Sequence, residues 1–336
     1  MSKYPVFGSL DAACMAVGVE PNGRHGSGFI TANIDGDRRG KGDARIRYFP
    51  SGKGGLVWNW KANAGALFLY GYRDGARLPR AEWIALQNEL RAVREREARE
   101  TALRHQSVAL LARQMVAAAR PSHSHPYLAR KGVAGFYGAP SLEIDRREAQ
   151  ALINAAVIPF LGGAKQRLGH LESRLLLIPL TGEGGGVMSL QLIDTKGQKT
   201  FLKGGQKKGL LWRPEGLPFQ SEGVTQIALA EGIATALSVA HLYGVPCCAG
   251  IDCGNLKDAA ACLRTAYPAA EILVFADRDD SGAGEAGARA AAQSMARTRL
   301  FICPEFTPEE KARFKAKTGG DHPTDYNDLM IVRGTK

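Results

Sequence analysis

The chain has 336 residues and carries 44 Lys and Arg against 33 Asp and Glu, a formal net charge of +11. That length holds two domains or three small ones, and 45% hydrophobic residues supply a sizeable core. The cationic surplus suits a polyanionic partner, since Lys and Arg neutralise phosphates and release counterions; with no run of 18 apolar residues, no membrane association is expected.

Residues 1–77 are glycine-rich and read as short strands. Gly28-Phe29-Ile30, Ile46-Arg47-Tyr48-Phe49 and Leu56-Val57-Trp58-Asn59-Trp60 are separated by the turn sequences Asp35-Gly36 and Gly52-Lys53-Gly54-Gly55. A small, mostly antiparallel β domain is expected. Its aromatic residues interleave with cations, among them Arg24, Arg38, Arg39, Lys41 and Lys53. Aromatic platforms beside cations hold single strands without reading sequence, which makes Arg45, Arg47, Trp58, Trp60 and Lys61 candidates for contact with single-stranded DNA. In the alternative, alternate aromatics face the core and the cations only solvate the other face.

Residues 78–120 read as a helical connector. Pro79 opens it, and Trp83, Leu86, Leu90 and Val93 recur at three and four positions over a helix from about Ala81 to Ala119. Arg and Glu alternate from Arg91 to Arg104 as on a solvated helix laced with ion pairs. The following break contains His123 and His125, which lack a third metal ligand and read as loop histidines.

Residues 121–223 begin with Pro126-Tyr127-Leu128-Ala129-Arg130-Lys131-Gly132-Val133, a short helix ended by glycine. A β meander follows, with strands at Arg174–Leu180, Val187–Asp194 and Lys199–Lys203. Arg174, Lys203, Lys207 and Lys208 are candidates for a basic face that meets phosphates, since glycine lets the backbone approach a phosphate while the lysines supply charge. An exposed hairpin tip would favour the same residue types.

Residues 224–305 alternate strand and helix with short loops, the pattern of a parallel sheet covered on both faces. Two apolar runs end in acid and glycine: Ile227-Ala228-Leu229-Ala230-Glu231-Gly232, and Ile272-Leu273-Val274-Phe275-Ala276 followed by Asp277-Arg278-Asp279-Asp280-Ser281-Gly282. Ligands of open α/β sheets bind at that C-terminal edge. Glu231, Asp277 and Asp279 brought together there would repel one another unless a cation lay among them, and an all-oxygen set suits Mg²⁺ or Mn²⁺. Asp280 and Asp325 are further candidate ligands. Asp279, Asp280 and Ser281 also suit a helix cap, as does Asp325. The six cysteines form no CxxC pair, so buried thiols in a cytoplasmic protein and no zinc are expected. Residues 306–336, with a charged helix at Glu309–Thr318, close the core.

The Glu-Gly after one strand and Asp-x-Asp-x-x-Gly after another, 46 positions apart, resemble the Toprim domain of bacterial-type primases, topoisomerases and some nucleases. The segment from Pro126 and the phrase Asp325-Tyr326-Asn327-Asp328-Leu329 resemble parts of conjugative-plasmid and satellite-phage primases; the meander resembles the subdomain that precedes Toprim in the bacterial replicative primase, which implies nucleotide and template binding for Arg174, Lys203, Lys207 and Lys208. The fold implied is α/β, with a Toprim-like parallel sheet behind an antiparallel meander, a helical connector and a small N-terminal β-rich domain. The resemblance implies a DNA primase for a plasmid, conjugative element or phage. It would copy single-stranded DNA into short RNA from NTPs, with Mg²⁺ or Mn²⁺ held by the acids and Glu231 as general acid/base or metal ligand. A Toprim nuclease and a non-catalytic single-stranded-DNA-binding accessory are the alternatives. No Walker motif is present, so a helicase or replication initiator, if used, is expected on a separate chain.

Overall fold

The computed structural model describes residues 4–26, 29–37, 42–73, 79–122, 124–217 and 223–334. Arg38, Arg39, Lys41 and His123 lie outside them, as does the side chain of Arg24. The chain divides into two compact units, Met1–Arg99 and Glu100–Lys336.

The first unit contains β1 (Val6–Phe7), α1 (Leu10–Ala16), β2 (Val19–Gly26), β3 (Phe29–Ile34), β4 (Ala44–Tyr48), β5 (Gly54–Asn59) and β6 (Ala64–Leu69). They form one sheet of order β1-β6-β5-β4-β3-β2, antiparallel except that β1 runs parallel to β6. The expected β domain is there; α1 was not read from the sequence. It is seven residues long, starts at the Ser9 cap and buries Ala13 and Cys14 on the core side. Alternation sorts the two faces of the sheet. Ile46, Val57, Ala66 and Phe68 face that core, whereas Leu67 and Leu69 pack with Leu86 of α2 (Arg80–Ala118), whose first half belongs to this unit.

The second unit takes in the last part of α2, then β7 (Arg120–Pro121), α3 (Pro126–Arg130), β8 (Leu142–Asp145), α4 (Arg146–Ala155), β9 (Arg174–Thr181), β10 (Val187–Asp194) and β11 (Lys199–Phe201). The expected meander forms the β11-β10-β9 side of a larger antiparallel sheet, β11-β10-β9-β8-β7. Strands β7 and β8 are too short to show a period. The alternating strand β9–β10 core packs against α4 and the last turns of α2 through Leu175, Leu177, Leu190, Ile153, Leu111 and Met115.

The chain then runs through β12 (Gln226–Ala230), α5 (Ile233–Tyr243), β13 (Cys247–Ala249), α6 (Leu256–Ala266), β14 (Glu271–Ala276), α7 (Ala283–Gln293), β15 (Thr298–Ile302), α8 (Pro308–Thr318) and α9 (Tyr326–Arg333). Strand order is β13-β12-β14-β15, all parallel. The continuous apolar runs divide by alternation: Ala228, Ala230, Leu273 and Phe275 join one core with α5 and α9, and Ile227, Leu229, Ile272 and Val274 join another with α6 and α7. A stretch between the sheets ties them together, with Leu211 bridging to Thr181 and the buried Trp212 to Ala249. Among the described residues no helix is long and apolar enough to cross a membrane. All six cysteines are free thiols, and all but Cys253 are buried.

Candidate active site

The acids are positioned by strand ends. In the parallel pair β12–β14, Leu229 lies beside Val274. The same register carried two residues on sets Glu231 beside Ala276, so Asp277 leaves the neighbouring strand one step later. Gly232 then starts α5.

Asp279 folds back onto α7. Its carboxylate accepts hydrogen bonds from the Ser281 hydroxyl at 2.8 Å and from the amides of Ala283 and Gly284 at 3.2 Å. Those donors, the hydroxyl foremost, hold its pKa below the usual carboxylate range. A side chain at position 284 would come within 3.2 Å of this carboxylate, so the missing Cβ matters to the approach. Asp279 is thus a cap and also one of the charges felt by Asp277. Asp280 is exposed in the turn.

Asp325 likewise has two roles. It caps α9 by accepting from the Asp328 amide at 2.9 Å, and its other oxygen accepts from the Thr235 hydroxyl at 3.2 Å. Its charge is the strongest of those acting on Asp277.

Asp277 is the centre of the group. Its Oδ1 is buried and has no hydrogen-bond partner. Burial, followed by the charges of Asp325, Glu231, Asp328 and Asp279, pushes its pKa up to about 8. Burial also raises Glu231, assisted by Asp252 and Asp279 and opposed by Lys199. The structure therefore gathers Glu231, Asp277, Asp279 and Asp325 at one sheet edge and adds Asp252 and Asp328. Among the described residues no three acid, histidine or cysteine side chains stand close enough to share a metal ion. The chemistry nonetheless fits a hard divalent cation: oxygen donors, a buried carboxylate oxygen without a donor, and burial with mutual repulsion that lifts Glu231, Asp277 and Asp328.

Lys199 is a site residue that the sequence did not single out. It opens β11, and its Nζ lies 5.7 Å from the centre of the Tyr127 ring. Burial and then Lys131 lower its pKa, against the charges of Asp325, Glu231 and Asp277. A lysine at the start of a strand gives no sign of facing acids on another sheet. Asn327, fully buried, fastens this corner by donating to the Lys131 carbonyl at 2.8 Å and to the Ser238 hydroxyl at 3.0 Å.

The four basic candidates separate. Lys207 pairs with Asp252 at 3.0 Å and Lys208 with Asp258 at 3.7 Å, so both meet the parallel-sheet half. Lys203 donates to the carbonyl of Ala164 at 2.9 Å and that of Gly162 at 3.4 Å. Arg174 makes a two-pronged contact with the buried Glu143 at 2.9 and 3.0 Å. Arg174→Ala is expected to cost roughly 1–3 kcal/mol, because Glu143 keeps a buried carboxylate without its counter-charge. A fall in thermal midpoint checks this; an unchanged midpoint would free Arg174 from a structural role. His125 caps α3, its Nδ1 accepting from the Tyr127 amide at 3.3 Å, as a loop histidine would.

The N-terminal candidates lie in the first unit. Arg45 stands opposite Trp58 on paired strands and rests over the Phe29 ring at 4.4 Å. Trp58 packs edge-on against Tyr4 at 5.7 Å and Trp60 at 5.9 Å, and Trp60 is 58% exposed. Gly65 provides the seat for this indole, since a Cβ there would come within 2.5 Å of it. Arg47 pairs with Glu97 at 3.1 Å, and Lys61 with Asp37 at 2.6 Å and Asp43 at 3.4 Å.

A parallel sheet with this acid edge defines the class: residues 226–336 match the Toprim domain family, and the chain carries a Toprim domain. Over 294 residues it is 25% identical to DNA primase TraC of Escherichia coli, an alignment covering 85% of this chain and 23% of that protein. The chain thus spans about a quarter of the length of that relative. Among solved structures, the primase fragment of the bacteriophage T7 primase-helicase aligns at 18% identity and a TM-score of 0.34, over 47% of this chain and 58% of that one. The RNA polymerase domain of Mycobacterium tuberculosis primase DnaG aligns at 17% identity and 0.39, over 71% and 80%.

Proposed function

We propose that this chain is a DNA primase that joins ribonucleotides into short RNA primers on single-stranded DNA, in the cytoplasm, for a plasmid, conjugative element or phage. The observation that carries the reading is Asp277: a buried carboxyl with one oxygen lacking a donor, lifted by burial and then by the acids around it, at the ligand edge of a Toprim sheet. The similarity to DNA primase TraC of Escherichia coli supports the reaction class.

Primer extension is attack of a 3′-hydroxyl on an α-phosphate, so the barrier is one of charge and position. Mg²⁺ or Mn²⁺ bound here would neutralise the transferring phosphoryl and favour ionisation of the attacking hydroxyl. Asp277 with one of Asp279 or Asp325 would hold it, and the exposed Asp280 is a further donor. Glu231, whose raised pKa favours proton exchange, takes the hydroxyl proton or joins the ligand set. Lys199 and Lys207 bind nucleotide phosphates, with Lys208 beside them, and Arg174 and Lys203 guide the template. A helicase or replication initiator would be a separate partner.

In the first unit, Trp58 and Trp60 with Arg45, Arg47 and Lys61 form a stacking surface for single-stranded template. Trp60→Ala is expected to raise the Kd for an oligo-dT strand about tenfold, in keeping with the stacking of one base. Fluorescence anisotropy at fixed salt measures it, and an unchanged Kd would remove the surface from the reading.

The deciding experiment supplies labelled NTPs, Mg²⁺ and single-stranded template. Template-dependent RNA supports the proposal, and nicked DNA without RNA would make the protein a nuclease instead.

A further inference from the structure

Among the ties between the loop carrying Lys207 and Lys208 and the Toprim sheet, three hydrogen bonds come from one buried side chain, that of Asn255, which is 6% exposed. Its Oδ1 accepts from the Gly209 amide at 2.8 Å. Its Nδ2 donates to the Leu210 carbonyl at 2.7 Å and the Gly250 carbonyl at 2.8 Å. One carboxamide thus satisfies two successive residues of the lysine loop and the residue that follows β13. All three bonds use its different ends correctly: the oxygen meets a donor, the nitrogen meets two acceptors.

The other side of this fastening is Glu231. Its carbonyl accepts from the Ile251 amide at 2.8 Å, and the Ala230 carbonyl accepts from Gly250 at 2.8 Å. Ile251 is held at a φ of +76°, a conformation that a β-branched residue adopts only when its surroundings impose it. Asp252 follows. One of its oxygens accepts from the Asn255 amide at 3.1 Å and the other pairs with Lys207 at 3.0 Å. The ammonium of Lys207 also lies 4.5 Å from the centre of the Phe201 ring. An unbroken run of bonds therefore connects the backbone of Glu231 to the loop that presents Lys207.

We infer that Asn255 is a positioning residue that fixes the Lys207 loop against the acid edge, so that the ammonium is already in place when a nucleoside triphosphate arrives. This rests on the primase reading above, with Lys207 as the phosphate contact. Without Asn255 the loop must be ordered at each binding event, and that ordering entropy subtracts from affinity. The chemical step, carried by the acids, is untouched.

The test compares wild type with Asn255→Ala, Lys207→Ala and the double variant. Asn255→Ala is expected to raise KM for NTP about tenfold with kcat within about twofold, and the double variant to match Lys207→Ala, because the two act as one unit. Additive effects, or a loss confined to kcat, overturn the inference. Hydrogen exchange on the free protein separates this outcome from failure of the primase reading. Amides of residues 204–211 should exchange at least about tenfold faster in Asn255→Ala while those of β12 stay protected. Unchanged exchange in the loop, or equal acceleration in both places, refutes positioning even if no primer is ever made. Should Asn255→Ala not fold, Asn255→Ser retains one hydrogen-bonding atom and enters the same comparisons.

Discussion

Asp277→Asn, Asp279→Asn and Glu231→Gln should each reduce template-dependent primer synthesis by about a thousandfold or more while leaving the fold intact. The expected size follows from what is removed. Nucleotidyl transfer relies on charge and positioning, and each substitution deletes a carboxylate from the only acid group gathered at the ligand edge among the described residues. Asp279→Asn should be the least neutral for folding, because its carboxylate also takes the Ser281, Ala283 and Gly284 donors at the start of α7. Incorporation of labelled ribonucleotides on a single-stranded template, read beside thermal midpoints, makes the measurement. Full activity in Asp277→Asn would end the reading of this edge as the catalytic centre, and biological activity that survives Asp277→Asn but is destroyed by loss of Trp58 and Trp60 would indicate an accessory that only binds DNA.

The second large effect is on stability. The carboxyl of Asp277 keeps its proton in the folded protein up to about pH 8, whereas in the unfolded chain it ionises near 3.8. Between those values the native state binds more protons than the unfolded state, so stability declines as pH rises through this window. Below it the effect is absent; above it the full penalty stands. At about 1.4 kcal/mol per pH unit the window sets an upper bound on the order of 5 kcal/mol, reduced wherever a neighbouring acid takes up a proton first. Asp277→Asn removes the titration. It should therefore melt several degrees above wild type at pH 8.5 and at the same temperature as wild type near pH 4, without metal. Millimolar Mg²⁺ should flatten the wild-type pH dependence and leave the variant unaffected, because a cation among the acids stabilises their ionised forms. Melting curves at both pH values with and without Mg²⁺ decide the matter, and a variant that melts with wild type at pH 8.5 would mean the carboxyl is not strained there.

Much of the second unit was legible because its signals are local. A short apolar run followed by acid and glycine marks a strand end, and two such runs with helices between them specify a parallel sheet. The misses have equally physical causes. Helix α1 is two turns long and is fixed by burying Ala13 and Cys14, and β7 pairs through two residues only. Neither has room for a periodic pattern.

From its sequence alone this chain determined where its strands end in carboxylates, that the sheet is parallel and sheathed by helices, and that cations are in excess. Only the tertiary structure decided which charges meet. It brought Asp252, Asp328 and Lys199 to the acids, gave Lys207 to Asp252 and Arg174 to Glu143, and left one oxygen of Asp277 without a donor. Local propensity acts over a few residues, whereas a charge pair depends on strand register and on the docking of one sheet against another, which no short stretch of sequence encodes.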